Sequence, residues 1–129
     1  VLYDRTTKIC GLAHVMMPDS SQISQNTNRM KFVDTCIPDM YEELLRVGAK
    51  KSGIIAKMAG GAKMFSYQSN NKFLNIGQQN VDAVHEVLGE LRIPILAEDV
   101  GSNYGRTIEF DTVTGGLSVK AVGFGDSII

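Results

Sequence analysis

Of the side chains able to move a proton or form a bond to substrate, His14 has the most unusual surroundings. It interrupts Ile9–Pro18, an otherwise apolar run (Ile9, Cys10, Gly11, Leu12, Ala13, Val15, Met16, Met17) that a proline closes. Such a run predicts a strand buried on both faces. An imidazole in its middle needs either two backbone carbonyls to satisfy its nitrogens or a chemical task, and histidine is the usual general acid or base near neutrality. Cys10 is the nearest thiol. Four residues of straight strand place it on the same face as His14 but roughly 13 Å away, too far for a hydrogen-bonded dyad. Cys10 therefore reads as a small core residue, and Cys36 likewise.

The other candidates point to structure. His85 falls between the faces of an amphipathic stretch, as a surface or boundary histidine does. A zinc site from Cys10, His14, Cys36 and His85 would draw on three separate elements without the close paired spacing of such sites. Gly60-Gly61 and the Gly101–Gly105 loop lack both the Lys-Ser/Thr of a phosphate loop and the G-x-G-x-x-G pattern, so tight turns explain them. Glu98 and Asp99 are adjacent on a strand segment and face opposite ways, which suits capping better than paired acid–base work. No metal and no cofactor are expected.

These residues must be held by ordinary globular elements. The 129 residues are 43% hydrophobic and 21% charged, enough for one domain with a single core. Thirteen basic against fourteen acidic residues leave a net charge of −1, so no broad field attracts nucleic acid or anionic lipid. No stretch approaches the roughly 18 apolar residues of a membrane span, and no signal-like segment is present, so no membrane insertion is expected. Methionines together with free cysteines suit a reducing cytoplasm. Val1–Tyr3 has strand character with no turn before it, so the chain as given is expected to begin inside an element.

Along the chain, Val1–Tyr3 and the Ile9–Pro18 run, joined by a short polar stretch, predict a hairpin. Asp19–Lys31 is polar and reads as mobile or as a lid. Ile37, Met40, Tyr41, Leu44 and Leu45 predict a helix over Thr35–Val47, capped by Asp34 or Thr35, with Pro38 in its first turn. Ile54–Ala59 predicts an interior strand, with Lys63–Phe65 as its possible continuation, and Ser66–Lys72 a loop. Ile76, Val81, Val84, Val87, Leu88 and Leu91 predict a second helix behind an Asn75 cap. Ile93–Val100, Arg106–Phe110 and Leu117–Val122 predict strands, the last two flanking a Gly115-Gly116 turn. The tail after Val122 carries no clear pattern. The order implies an α/β domain with a mixed sheet and both helices on one face.

The strings YDRTTKICGLAHVMMPDS, DTCIPDMYEELLRVGA, AKMAGGAKMF, NIGQQNV and AEDVGSNYGRTIEFDTVTG follow one another here. In that order they resemble the CheD family of bacterial and archaeal chemotaxis proteins, over nearly the whole chain from Val1 to Val122. The specific parts are AHVM-P around His14, Gly-Gly-Ala-x-Met-Phe at Gly60–Phe65, and Ile-Gly-x-x-Asn at Ile76–Asn80. The resemblance implies a layered α/β/β sandwich similar to the catalytic domain of the cytotoxic necrotizing factor toxins. It implies a glutamine deamidase that converts receptor glutamines to glutamate and releases ammonia. His14 matches the family's catalytic histidine. The family's nucleophilic cysteine, in a Gly-Ser-Cys string, and a catalytic threonine belong upstream of the position of Val1. Residues 1–129 thus correspond to a single CheD-like domain without that segment, and this polypeptide alone is expected to be inactive. Cys10 stands where the family commonly has a small residue. The implied partners are methyl-accepting chemoreceptors as protein substrate and a CheC-like phosphatase. Binding to the latter would make a non-catalytic adaptor the alternative function.

Overall fold

The computed structural model describes residues 1–23, 28–64 and 75–129. Val33, Cys36, Ile37, Tyr41 and Leu44 recur every three or four residues and form the buried stripe of helix α1 (Val33–Arg46). The helix starts earlier than the cap residues suggested. Phe32 stands at the N-cap without a side-chain capping bond, and Asp34 lies in the first turn, where its carboxylate accepts from Ser20 N (3.0 Å) and Ser20 Oγ (2.7 Å). Pro38 therefore falls inside the helix, where its missing N–H leaves the Asp34 carbonyl without its i+4 donor. Helix α2 (Ile76–Glu90) begins after Asn75 and buries Gly77, Val81 and Leu88.

The strands divide into two sheets. The first has the order β2-β1-β3-β4, with β1 (Leu2–Asp4), β2 (Cys10–Gly11), β3 (Ile54–Gly60) and β4 (Ile95–Val100). Within it β1 pairs antiparallel with β2 and β3, whereas β3 and β4 run parallel with α2 as the crossover between them. The second is an antiparallel meander of β5 (Thr107–Phe110), β6 (Leu117–Ala121) and β7 (Gly125–Ile128).

The layering follows from alternation along β1 and β3. Leu2, Ile54 and Ala56 join Val33, Ile37, Leu44 and Leu88 in the core beneath the helices. Tyr3 and Lys57 point the other way, to the meander. The Tyr3 hydroxyl donates to Thr112 O (3.1 Å) and its ring meets Phe110 edge-on at 5.1 Å. Lys57 Nζ donates to the carbonyls of Gly115 and Ile129 at 2.7 Å each. A central sheet with helices on one side and a second sheet on the other is the expected α/β/β sandwich.

The two-faced strand is β3, not the Ile9–Pro18 run. That run forms only the two-residue edge strand β2; from Leu12 to Met16 it joins no strand of the sheet among the described residues, and its residues alternate between exposed and half-buried. Leu12 and Met16 are 54% and 55% exposed, and His14 is exposed with them. The run leaves the sheet from its edge, where among the described residues β2 has a strand neighbour on one side alone, and chain at an edge is less covered by the packed layers than an interior strand. Three further differences concern ends. Asp19–Lys31 holds two 3₁₀ turns, Ser20–Gln22 and Arg29–Lys31, tied to α1 through Ser20–Asp34 and Arg29–Asp39. β3 stops at Gly60, where φ turns to +122°, so Lys63 and Met64 do not extend it. The patternless tail forms β7, all four of whose residues are exposed. Phe65 and the expected Ser66–Lys72 loop lie outside the described residues.

Candidate active site

His14 sits on the stretch that leaves β2. Beyond it the chain is gripped again at Met16 and Met17, whose N–H groups both donate to Lys31 O (2.8 and 3.0 Å), while Val33 N donates to Met17 O (2.9 Å). Ala13, His14 and Val15 make no main-chain hydrogen bond among the described residues. The His14 ring likewise has no hydrogen-bond partner among them. An exposed, unpaired imidazole is free to take a proton from an incoming group or to give one.

Behind His14 lies a cavity of about 180 Å³, lined by Val1, His14, Lys57, Gly60, Gly61 and Asn80 together with apolar side chains. Its walls need the glycines. Gly61 has φ +66°, and a Cβ there would lie 2.9 Å from Gly77 O. A Cβ on Gly77 would in turn collide with Gly61 O and stand 2.8 Å from Ala62 O. The end of β3 and the first turn of α2 thus touch backbone to backbone, which only glycine permits. This contact sets Asn80, one turn on, against the His14 segment, and Asn80 Nδ2 donates to Met16 O at 3.1 Å. The strings around His14, Gly60–Gly61 and Ile76–Asn80 therefore converge on one cavity. Residue types alone did not single out Asn80; its place three residues after Gly77 was the available signal.

Neither thiol lines the cavity among its described residues. Cys10 lies half-buried on β2 opposite Tyr3. Cys36 is buried in α1, and burial, with the nearby Asp39 carboxylate, pushes its thiol up from its ordinary value, away from the reactive thiolate. His85 is a surface histidine, its Nε2 2.7 Å from Glu98 Oε2. Asp99 accepts from Arg106 Nε (3.1 Å) and an Arg106 terminal nitrogen (2.8 Å), and the buried guanidinium also donates to Gly101 O and Tyr104 O. The acidic pair is thus spent on α2 and on the glycine loop. Gly101 N donates to Gly60 O (2.8 Å), so the two glycine loops brace each other as turns. Among the described residues no three His, Cys, Asp or Glu side chains are grouped to hold a metal ion, and no helix is long and apolar enough to cross a membrane.

The family model of CheD chemotactic sensory transduction matches residues 16–121, a span that begins just after His14. A protein of Lachnoclostridium phytofermentans is 52% identical over 123 residues, covering 95% of this chain and 76% of the relative. One from Caldanaerobacter subterraneus subsp. tengcongensis is 53% identical over 125 residues, covering 97% and 77%. One from Clostridium botulinum is 50% identical over 124 residues, covering 96% and 76%. Each bears the name "Probable chemoreceptor glutamine deamidase CheD". With identities of this size along almost its whole length, the chain belongs to the CheD family of chemotaxis proteins.

Proposed function

We propose that the full-length protein is a cytoplasmic chemoreceptor glutamine deamidase in which His14 is the acid–base group and a cysteine preceding Val1 is the nucleophile. The observation that carries this reading is the cavity shared by Val1 and His14, at the meeting point of the three family strings. Residues leading into Val1 enter beside that cavity, because Val1 continues the β1–β3 ladder through Lys57 N and Val1 O at 3.0 Å. His14 takes the thiol proton, and the thiolate attacks the side-chain carbonyl carbon of a receptor glutamine. The tetrahedral intermediate collapses with the C–N bond breaking as His14 returns the proton to the departing nitrogen, so ammonia leaves. His14 then deprotonates water, which attacks the thioester; glutamate is released and the thiol restored. Neither Cys10 nor Cys36 takes part. The two unpaired cysteines accord with a reducing compartment.

Incubating the full-length protein with receptor peptides and measuring ammonia tests the reading. Release that disappears in His14→Ala is the expected result; no release with an upstream cysteine present overturns it. Exposed Leu12 and Met16 flanking His14 favour a second activity on the same face, docking of a CheC-like phosphatase. If residues 1–129 bind that partner at micromolar strength without releasing ammonia, the adaptor function belongs to this polypeptide.

A further inference from the structure

We propose that Asn80 is a positioning residue for His14, acting through the Met16 carbonyl; the proposal rests on the reading of His14 as the acid–base group. His14 lies in a stretch whose own main chain makes no hydrogen bond among the described residues, so its place is set by the anchors at either end. One anchor is β2, which ends at Gly11. The other is Met16, held by Lys31 O on its N–H side and by Asn80 Nδ2 on its carbonyl side. Asn80 reaches from α2 across the sequence, so it ties the histidine to the element that forms the cavity wall. The Gly61–Gly77 backbone contact sets the height at which Asn80 emerges.

The chemistry of the amide argues that this tie is its purpose. Asn80 Oδ1 is buried and has no hydrogen-bond partner among the described residues. A buried acceptor without a donor works against folding. A leucine of similar size would fill the same space with no orphaned oxygen, so packing alone favours an apolar residue at this position. What leucine cannot do is donate to Met16 O. An aspartate, nearly the same shape, cannot donate either, and it sets a second oxygen against that carbonyl.

The test uses the full-length protein and ammonia release from receptor peptides, with Asn80→Leu, Asn80→Asp and His14→Ala compared to wild type. Both Asn80 variants are expected to lose at least about tenfold in kcat with KM within about twofold, because substrate binding is untouched while the base is displaced. Asn80→Leu is expected to melt no lower than wild type, and the His14 imidazole resonance in its NMR spectrum to shift or broaden. Wild-type kcat in both Asn80 variants, with His14→Ala inactive, overturns the proposal and leaves the role of His14 standing. A kcat loss that appears only together with a lowered melting temperature assigns Asn80 a structural role and overturns the proposal. Wild-type activity in His14→Ala overturns both readings.

Discussion

Asp4 and Asn80 both place buried side-chain oxygens beside the central sheet, and they are treated oppositely. Asp4 is fully buried at the end of β1, just before the turn to β2. Its Oδ1 accepts from Thr6 N (2.9 Å), and its Oδ2 from Thr7 Oγ1 and Lys50 N (2.7 Å each). Burial by itself would raise this carboxyl, but those hydrogen bonds outweigh it and hold the pKa down at about 2. Asn80 spends its amide N–H on the His14 segment and leaves Oδ1 without a donor among the described residues. The difference teaches how to tell the two uses of a buried polar group. Where both oxygens are answered, as at Asp4, the group holds the fold; an acceptor left without a donor beside a cavity is what the proposed positioning role of Asn80 would explain.

Removing His14 is the strongest way to break this contrast. In the full-length protein His14→Ala should lower deamidation by about a thousandfold, the upper part of what a general acid–base group supplies. Its urea midpoint should not move, since the ring is exposed and has no hydrogen-bond partner among the described residues; retained activity would mean that the suspended segment is not catalytic. At the other pole, Asp4→Ala should cost about 3 kcal/mol of stability in urea unfolding, because a buried carboxylate's bonds disappear and donors are left unmatched.

The pH dependence sharpens the same pole. The folded carboxyl titrates near 2, below its ordinary 3.8, so its contribution is complete above about pH 4 and drains away as pH falls toward 2. Urea midpoints measured across that window should fall steeply for the wild type and less steeply for Asp4→Ala. Gly77→Ala sits between the poles. Its added methyl meets main chain at Gly61 and Ala62 that cannot step aside, and about 2 kcal/mol of destabilisation is expected in thermal unfolding. The smallest effect belongs to Cys10→Ala, for which activity within about twofold of wild type is expected. A collapse of ammonia release there would bring a thiol of β2 into the chemistry and undo the assignment to an upstream cysteine.

Much of this was legible before the structure. Helix α2 was legible because a 3.6-residue stripe needs only one covering surface, and Val81, Val84 and Leu88 announce it. Helix α1 was visible for the same reason, although Phe32 replaced the expected polar cap and moved the start by two residues. The interior strand Ile54–Ala59 was read almost to its end. The Ile9–Pro18 run was misread because a short apolar string states only that it prefers to be covered, and an edge position leaves alternate residues bare. β7 was missed because an edge strand with every residue exposed has no alternation to reveal it. The burial of Asp4 has no local signal, because one of the N–H groups that answer its carboxylate belongs to Lys50, forty-six positions away.

What the amino-acid order determined by itself was the inventory: two amphipathic helices, a strand fit for burial on both faces, glycines where the chain must turn or touch, one histidine in an odd setting, and the family those strings resemble. Those are consequences of local geometry and of side-chain chemistry, which neighbours in sequence settle among themselves. Tertiary structure alone decided that His14 faces outward over a cavity, that Gly61 and Gly77 press their backbones together, and that Asn80 reaches back to the Met16 carbonyl. Each of these depends on pairs far apart in the chain, whose meeting is set by how the layers pack and by which strand falls at the edge of the sheet.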